Sequence, residues 1–172
     1  MKKRQSGTRA DSSASPATQL SAFLAKLEPS VSRLVRAARA TLRKRMPSAN
    51  ELVYDNYNFF VIGFCASERP SDCIVSLAAS AKGVALSFYY GSSLPDPDRI
   101  LLGSGNQNRF VRLESAATLD NPAVARLIDE AIARAKTSLR STGRGRTIIQ
   151  SVSAKQRPRR ATKVSRAPRV AR

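Results

Sequence analysis

The sequence contains no histidine among its 172 residues. Histidine is the commonest general base and the commonest metal ligand in proteins. Its absence excludes a Ser–His or Cys–His catalytic arrangement within one chain, and it also excludes a closed zinc site built from cysteine and histidine.

Long apolar segments are missing as well. The longest apolar run, residues 59–66, is far shorter than the roughly 20 residues that span a bilayer, and it suits a buried strand. The N-terminus starts with three bases, but residues 5–17 are rich in Ser, Ala and Thr and supply no apolar region for a secretory signal. We therefore expect a cytoplasmic protein without membrane association.

Acidic residues are scarce: 12 stand against 30 lysines and arginines, which gives a net charge of +18. Residues 138–172 hold eleven of those bases and no acid, whereas residues 18–137 carry a net charge of only +4. Beyond residue 140 the apolar periodicity stops, and such a composition cannot bury a core. The sequence predicts a flexible leader over 1–17, a folded domain over 18–137 and a disordered basic tail over 138–172.

The domain alternates between helical and strand patterns. Apolar spacing and capping residues predict helices over Leu20–Leu27, from an N-cap at Ser30 to Met46, and after Asn121-Pro122. Predicted strands cover residues 58–66, 73–79, 84–90 and 109–113. Because short polar turns join these strands, the sequence predicts an α+β fold, with an antiparallel sheet of four to five strands packed against N- and C-terminal helices.

Only two cysteines are present, Cys65 and Cys73. They flank a polar turn, so we expect them to lie near each other on paired strands. In the cytoplasm two reduced, buried thiols are the expected state, and a redox pair is the alternative.

Several ordered motifs resemble the YdhG-like domain of unknown function over residues 18–137. The motifs that carry the resemblance are Phe88-Tyr89-Tyr90-Gly91, Leu94-Pro95-Asp96-Pro97, residues 101–105, residues 109–113, Leu42 to Pro47 with Glu51 and Tyr54, and Asp120-Asn121-Pro122. The resemblance implies an antiparallel α+β fold similar in outline to frataxin. The chain departs from the family pattern at Gln107 and Asn108, where basic residues are frequent, and at Phe110, where histidine is common.

Most members of that family have no assigned activity, and one suggested role is intracellular iron chaperoning. Iron needs clustered carboxylates. The first two predicted helices offer only Glu28 against seven bases, and the close acid pairs are Glu51 with Asp55 and Asp96 with Asp98. We predict no cofactor and no metal ligand, and keep iron binding as the alternative function.

Two groups of residues are candidates for a ligand site. The loop from Gly103 through Gly105 to Asn106 suits a backbone nest for an anion, with Arg109 and Arg112 supplying charge; the alternative is a glycine turn before a strand. An aromatic group suits a small ligand pocket, although such residues also serve as core. Its members are Tyr54, Tyr57, Phe59, Phe88, Tyr89 and Tyr90.

The basic tail is the candidate nucleic-acid contact. Arg144-Gly145-Arg146 resembles the centre of an AT-hook, which enters the minor groove of A·T-rich DNA, but the flanking prolines are missing. The other candidate contacts are Lys155, Arg157, Arg159, Arg160 and Lys163. A solubilising extension is the alternative, and the arginines at 33, 36, 39 and 43 are either a phosphate contact or a solvated helix face.

Asp96 and Asp98 suit turn chemistry better than catalysis, because Asp-Pro sequences favour turns. We therefore predict a non-enzymatic protein that binds a small ligand or a protein partner, with a tail that contacts nucleic acid non-specifically. An iron chaperone is the alternative.

Overall fold

The computed structural model describes residues 14–160, which form three helices and six strands. The helices are α1 (Pro16–Ala25), α2 (Pro29–Arg45) and α3 (Pro122–Ala133); the strands are β1 (Asn50–Asp55), β2 (Phe60–Cys65), β3 (Cys73–Ser80), β4 (Gly83–Phe88), β5 (Arg109–Leu113) and β6 (Thr147–Val152). The predicted α+β class is confirmed. Most of the predicted leader, and Lys163 of the tail, lie outside the described residues. None of the helices in the described range has the length and apolar character needed to cross a membrane.

Proline opens all three helices, because its missing N–H and fixed φ suit the first helical turn. Asn121 caps α3 as predicted, and its side chain accepts a hydrogen bond from the Ala123 N–H at 2.9 Å. Pro29 starts α2, so Ser30 lies inside the helix rather than at the predicted N-cap position. Ser15 caps α1, which begins four residues before the predicted start at Leu20.

The six strands form one sheet in the order β5-β4-β3-β2-β1-β6. Strands β1 to β5 pair antiparallel with their chain neighbours, whereas β6 pairs parallel with β1. The sheet is therefore mixed and has six strands, which corrects the prediction of a purely antiparallel sheet of four or five.

Strand β6 also corrects the prediction that all of residues 138–172 are disordered. The Glu51 N–H donates to the Arg146 carbonyl at 2.8 Å, and the Arg146 N–H donates to Asn50 Oδ1 at 3.0 Å. Ile148 and Ile149 are half-buried beside β1. A short edge strand of this kind, set among Arg and Ser, has too little apolar pattern to be recognised locally.

The core lies between the helices and one face of the sheet. Alternate strand residues such as Ile62, Leu77 and Leu86 point into it, against Leu24 and Leu42 of the helices. Full burial of such a side chain stabilises the fold by roughly 1.5–3 kcal/mol. Because α1, α2 and α3 all contribute to this one core, the opposite face of the antiparallel part of the sheet stays open.

Candidate functional site

The strand register shows which residues share the open face, because directly paired residues on neighbouring strands point the same way. Two neighbouring rows cross β1 to β5: Tyr54, Val61, Ala78, Ala85 and Arg112; then Leu52, Gly63, Ser76, Ser87 and Phe110. In each row, the middle residues on β3 and β4 are Ala or Ser. The centre of this face is therefore lower than its margins.

A groove of about 660 Å3 occupies this low centre. That volume lies within the range of small-molecule sites, which is roughly 300–1,000 Å3. Its residues are Tyr54, Asn56, Phe59, Val61, Gly63, Cys65, Pro70, Cys73, Ser76, Ala78, Ala85, Ser87, Tyr89, Asn108 and Phe110. This set, drawn from the described residues, includes four aromatic rings and no Asp, Glu, Lys or Arg.

Two asparagine amides stand at the groove with their orientation fixed by serine hydroxyls. Ser151 Oγ donates to Asn56 Oδ1 at 2.9 Å, and Ser87 Oγ donates to Asn108 Oδ1 at 2.9 Å. Each carbonyl oxygen is thus occupied, while each side-chain NH2 group has no hydrogen-bond partner within residues 14–160. The groove offers donors to a ligand that carries acceptor atoms.

The two thiols lie side by side at the groove. Cys65 and Cys73 are register partners on β2 and β3, as the sequence predicts, and both are free thiols. A Cβ placed on Gly63 would lie 3.1 Å from Cys73 Sγ and 3.4 Å from Cys65 Sγ. Glycine at this position therefore makes room for both sulfur atoms.

The ionisation of these groups is suppressed. The hydrogen bond with Cys73 and burial raise the pKa of the Cys65 thiol, so it is a weak nucleophile. Burial also raises the pKa of Tyr54, with smaller contributions from Cys65, Cys73 and Tyr89. Both groups are therefore neutral at physiological pH, and this end of the groove carries no charge from either.

The structure separates the predicted aromatic group. Tyr54, Phe59 and Tyr89 line the groove, whereas Phe88 lies in the core. Tyr90 lies outside the groove, but its ring meets the Tyr89 ring edge-on with centroids 4.9 Å apart. Tyr90 therefore contacts one residue of the groove lining without lining the groove itself.

The predicted anion nest is a loop that Arg109 holds closed. Arg109 Nη1 donates to the carbonyl oxygens of Gly105 and Asn108, so the Arg109 guanidinium is bound to the loop itself. Gly103 adopts a positive φ of 105° and packs against the Phe110 ring. Arg112 lies apart from this loop, exposed beside Ala85 at the margin of the open face.

Several predicted nucleic-acid residues have other partners in the structure. Arg159 is 5% exposed and donates to Asp55 Oδ1 at 3.2 Å and to the Asn56 carbonyl. Arg160 donates to two backbone carbonyls at the end of α1, and Arg146 forms an exposed ion pair. Arg144, Lys155 and Arg157 are exposed, as are Arg146 and Arg160. Burial of Arg159 removes it from polyanion contact, and contact by the others stays a prediction.

The acid pairs considered for iron are also engaged. Arg39 and Arg43 contact Glu51 at 2.7 and 2.5 Å, and Lys26 contacts Asp55 at 2.6 Å. Asp96 accepts two backbone N–H groups and Asp98 pairs with an arginine. Within residues 14–160, no group of three or more Cys, Asp or Glu residues is arranged to hold a metal ion.

Sequence reasoning missed most of the groove floor. The signal was present in the strands, where Ser76 and Ala78 on β3 and Ala85 and Ser87 on β4 alternate with large apolar residues. Small residues on one face of two adjacent strands indicate a depression in the sheet surface.

Comparisons with models of protein families, with curated proteins and with solved structures find no match for this chain. The resemblance to the YdhG-like domain therefore stays a prediction.

Proposed function

We propose that this protein binds a small, uncharged, planar ligand with hydrogen-bond acceptors in the groove on the open sheet face. The groove itself carries the proposal: it has the volume of a ligand site, aromatic rings at its margins and small residues on its floor. Aromatic side chains favour stacking on a flat ligand.

The character of the ligand follows from the lining. A charged ligand buried there would lose hydration without gaining an ion pair from the lining residues, which makes burial unfavourable. The NH2 groups of Asn56 and Asn108 instead suit carbonyl oxygens or ring nitrogens. The proposal is for binding rather than catalysis, because burial and the hydrogen bond with Cys73 raise the pKa of the Cys65 thiol, and the other polar side chains of the lining are amides, hydroxyls and the Cys73 thiol.

Nile red tests this proposal, since it is neutral, planar and fluoresces strongly only in apolar surroundings. We expect saturable binding to the full-length protein and loss of that binding in Ala85→Phe, whose ring would fill the floor. Ala40→Phe is the matched control, because residue 40 is exposed on α2, away from the groove. A dye signal that is absent in the wild type, or equal in both variants, would contradict the proposal.

A further inference from the structure

One end of the groove lies toward the β1–β2 and β3–β4 turns, and exposed cations lie at that end of the sheet. The β1–β2 turn carries Tyr57 and Phe59, and the Arg157 guanidinium lies 5.6 Å from the centre of the Tyr57 ring. The Arg157 N–H also donates to the Tyr57 carbonyl at 2.9 Å, which fixes this arginine beside the turn. Phe59, at 48% exposed, belongs to both the turn and the groove.

Two further bases lie at the same end of the sheet. Lys82 is in the β3–β4 turn, with its N–H bonded to Ser80 Oγ at 3.1 Å. Arg112 is the register partner of Ala85, a residue of the groove floor. Both side chains are exposed, and the nearby exposed acid is Glu114, which directly follows β5. Within residues 14–160, these three cations and Glu114 give the margin a net positive charge.

An uncharged aromatic groove with a positive margin matches one ligand chemistry in particular. Unpaired nucleobases are flat, neutral and rich in carbonyl and ring-nitrogen acceptors, and they are attached to a chain of phosphates. Sheet faces bind single strands in this way, with bases stacked on aromatic side chains and the backbone following basic residues. In a duplex the bases are already stacked on one another, so their faces are not available to the groove.

We infer that the groove binds unpaired bases of a single-stranded nucleic acid, with Phe59 and Phe110 as stacking surfaces and with Lys82, Arg112 and Arg157 contacting phosphates. This inference rests on the proposed function, because it names the ligand of the same groove. It differs from contact through the tail, in that the bases themselves contribute to affinity.

Fluorescence anisotropy with the full-length protein tests the inference. The probes are labelled decathymidylate and a ten-unit abasic deoxyribose-phosphate chain of equal charge. We expect decathymidylate to bind more tightly than the abasic chain. Phe59→Ala should weaken decathymidylate binding about tenfold, the effect of losing one stacked base, and Ala85→Phe should weaken it at least as much.

The controls separate stacking from charge. Both groove variants should bind the abasic chain within twofold of the wild type, and Ala40→Phe should bind both probes normally. Arg112→Gln and Arg157→Gln should weaken both probes and each reduce the salt slope by about 0.7. Phe59 is half-exposed, so Phe59→Ala is expected to fold, and a thermal melt verifies this.

The inference is overturned if decathymidylate and the abasic chain bind equally, if neither binds, or if both groove variants bind decathymidylate like the wild type. The Nile red result then decides how far the failure extends. Dye binding that Ala85→Phe abolishes leaves the proposed function intact and removes only the nucleobase. Absence of dye binding as well removes both.

Discussion

Glu51 and Asp55 lie four positions apart on the same face of β1, and both are buried against cations from other segments of the chain. The Glu51 side chain is fully buried, while its partners Arg39 and Arg43 are 27% and 28% exposed. A buried carboxylate is tolerated only when paired and hydrogen-bonded. The two arginines and the Thr147 hydroxyl provide that compensation.

Substituting Glu51→Gln should lower the free energy of unfolding by about 3 kcal/mol at pH 7, because it leaves two arginines without their buried partner. Urea denaturation measures this. Glu114→Gln, at an exposed position, is the matched control and should change stability by less than about 0.5 kcal/mol.

The ion pairs of Glu51 with Arg39 and Arg43 also predict that the stability of the fold depends on pH. Burial raises the pKa of Glu51, but hydrogen bonds from Arg39 and Thr147 and the charges of both arginines outweigh it, so its pKa lies below the ordinary value of 4.5. A lowered pKa in the folded state means that the stabilisation is complete above pH 4.5 and is lost as the pH falls through the lower folded value. The difference between wild type and Glu51→Gln should therefore shrink in acid; a constant difference would contradict this.

At the scale of secondary-structure elements, the segment that enters β6 makes a close backbone approach to the start of β1. A Cβ on Gly145 would lie 1.6 Å from the Ala49 carbonyl oxygen. The Gly145 N–H also donates to the Pro47 carbonyl at 2.9 Å. The segment entering β6 therefore fits against the start of β1 only with glycine at this position.

Gly145→Ala should release this segment and cost roughly 2–4 kcal/mol, within the range of severe steric changes. Hydrogen exchange should show faster exchange of the amides of residues 147–152 than in the wild type. Gly105→Ala is the control, since a Cβ there meets nothing within 4 Å. Unchanged exchange in Gly145→Ala would show that β6 is not held by this contact.

At the scale of the whole molecule, the C-terminal segment completes the fold. Strand β6 covers the edge of β1, and Arg159, which follows β6 in the chain, forms an ion pair with the buried Asp55 at the end of β1. An uncovered strand edge offers unpaired N–H and C=O groups to other chains and promotes aggregation. Some of the eleven bases of residues 138–172 therefore form ion pairs within the folded molecule.

Truncation after residue 138 should therefore lower the melting temperature by about 8 °C or more, as expected for a loss of roughly 4 kcal/mol in a protein of this size. It should also increase aggregation, measured by light scattering. Truncation after residue 160 keeps β6 and Arg159 and is the control. Equal melting temperatures for the two truncations would contradict a structural role for β6. Only truncation after residue 160 is a suitable test of nucleic-acid contact by the tail end, because it leaves β6 in place.

The sequence by itself determined the α+β class, the three helices, strands β2 to β5 and the position of the two cysteines on paired strands. Each depends on local information: apolar periodicity says which face of a helix or strand is buried, and proline, asparagine and polar turns mark where elements start and end. The alternation of Val84, Leu86 and Phe88 with Ala85 and Ser87 along β4 is also local information, although Phe88 was predicted for the ligand pocket and lies in the core.

Only the tertiary structure decided where β6 pairs, which cations neutralise Glu51 and Asp55, and that the small residues of several strands form one groove. Glu51 and Thr147, or Asp55 and Arg159, are separated by about a hundred residues. Pairing over that distance depends on which edge and which buried charge remain unsatisfied once the rest has packed. No local pattern contains that information. For this reason the sequence alone did not predict that a segment with the composition of a disordered tail forms part of the sheet.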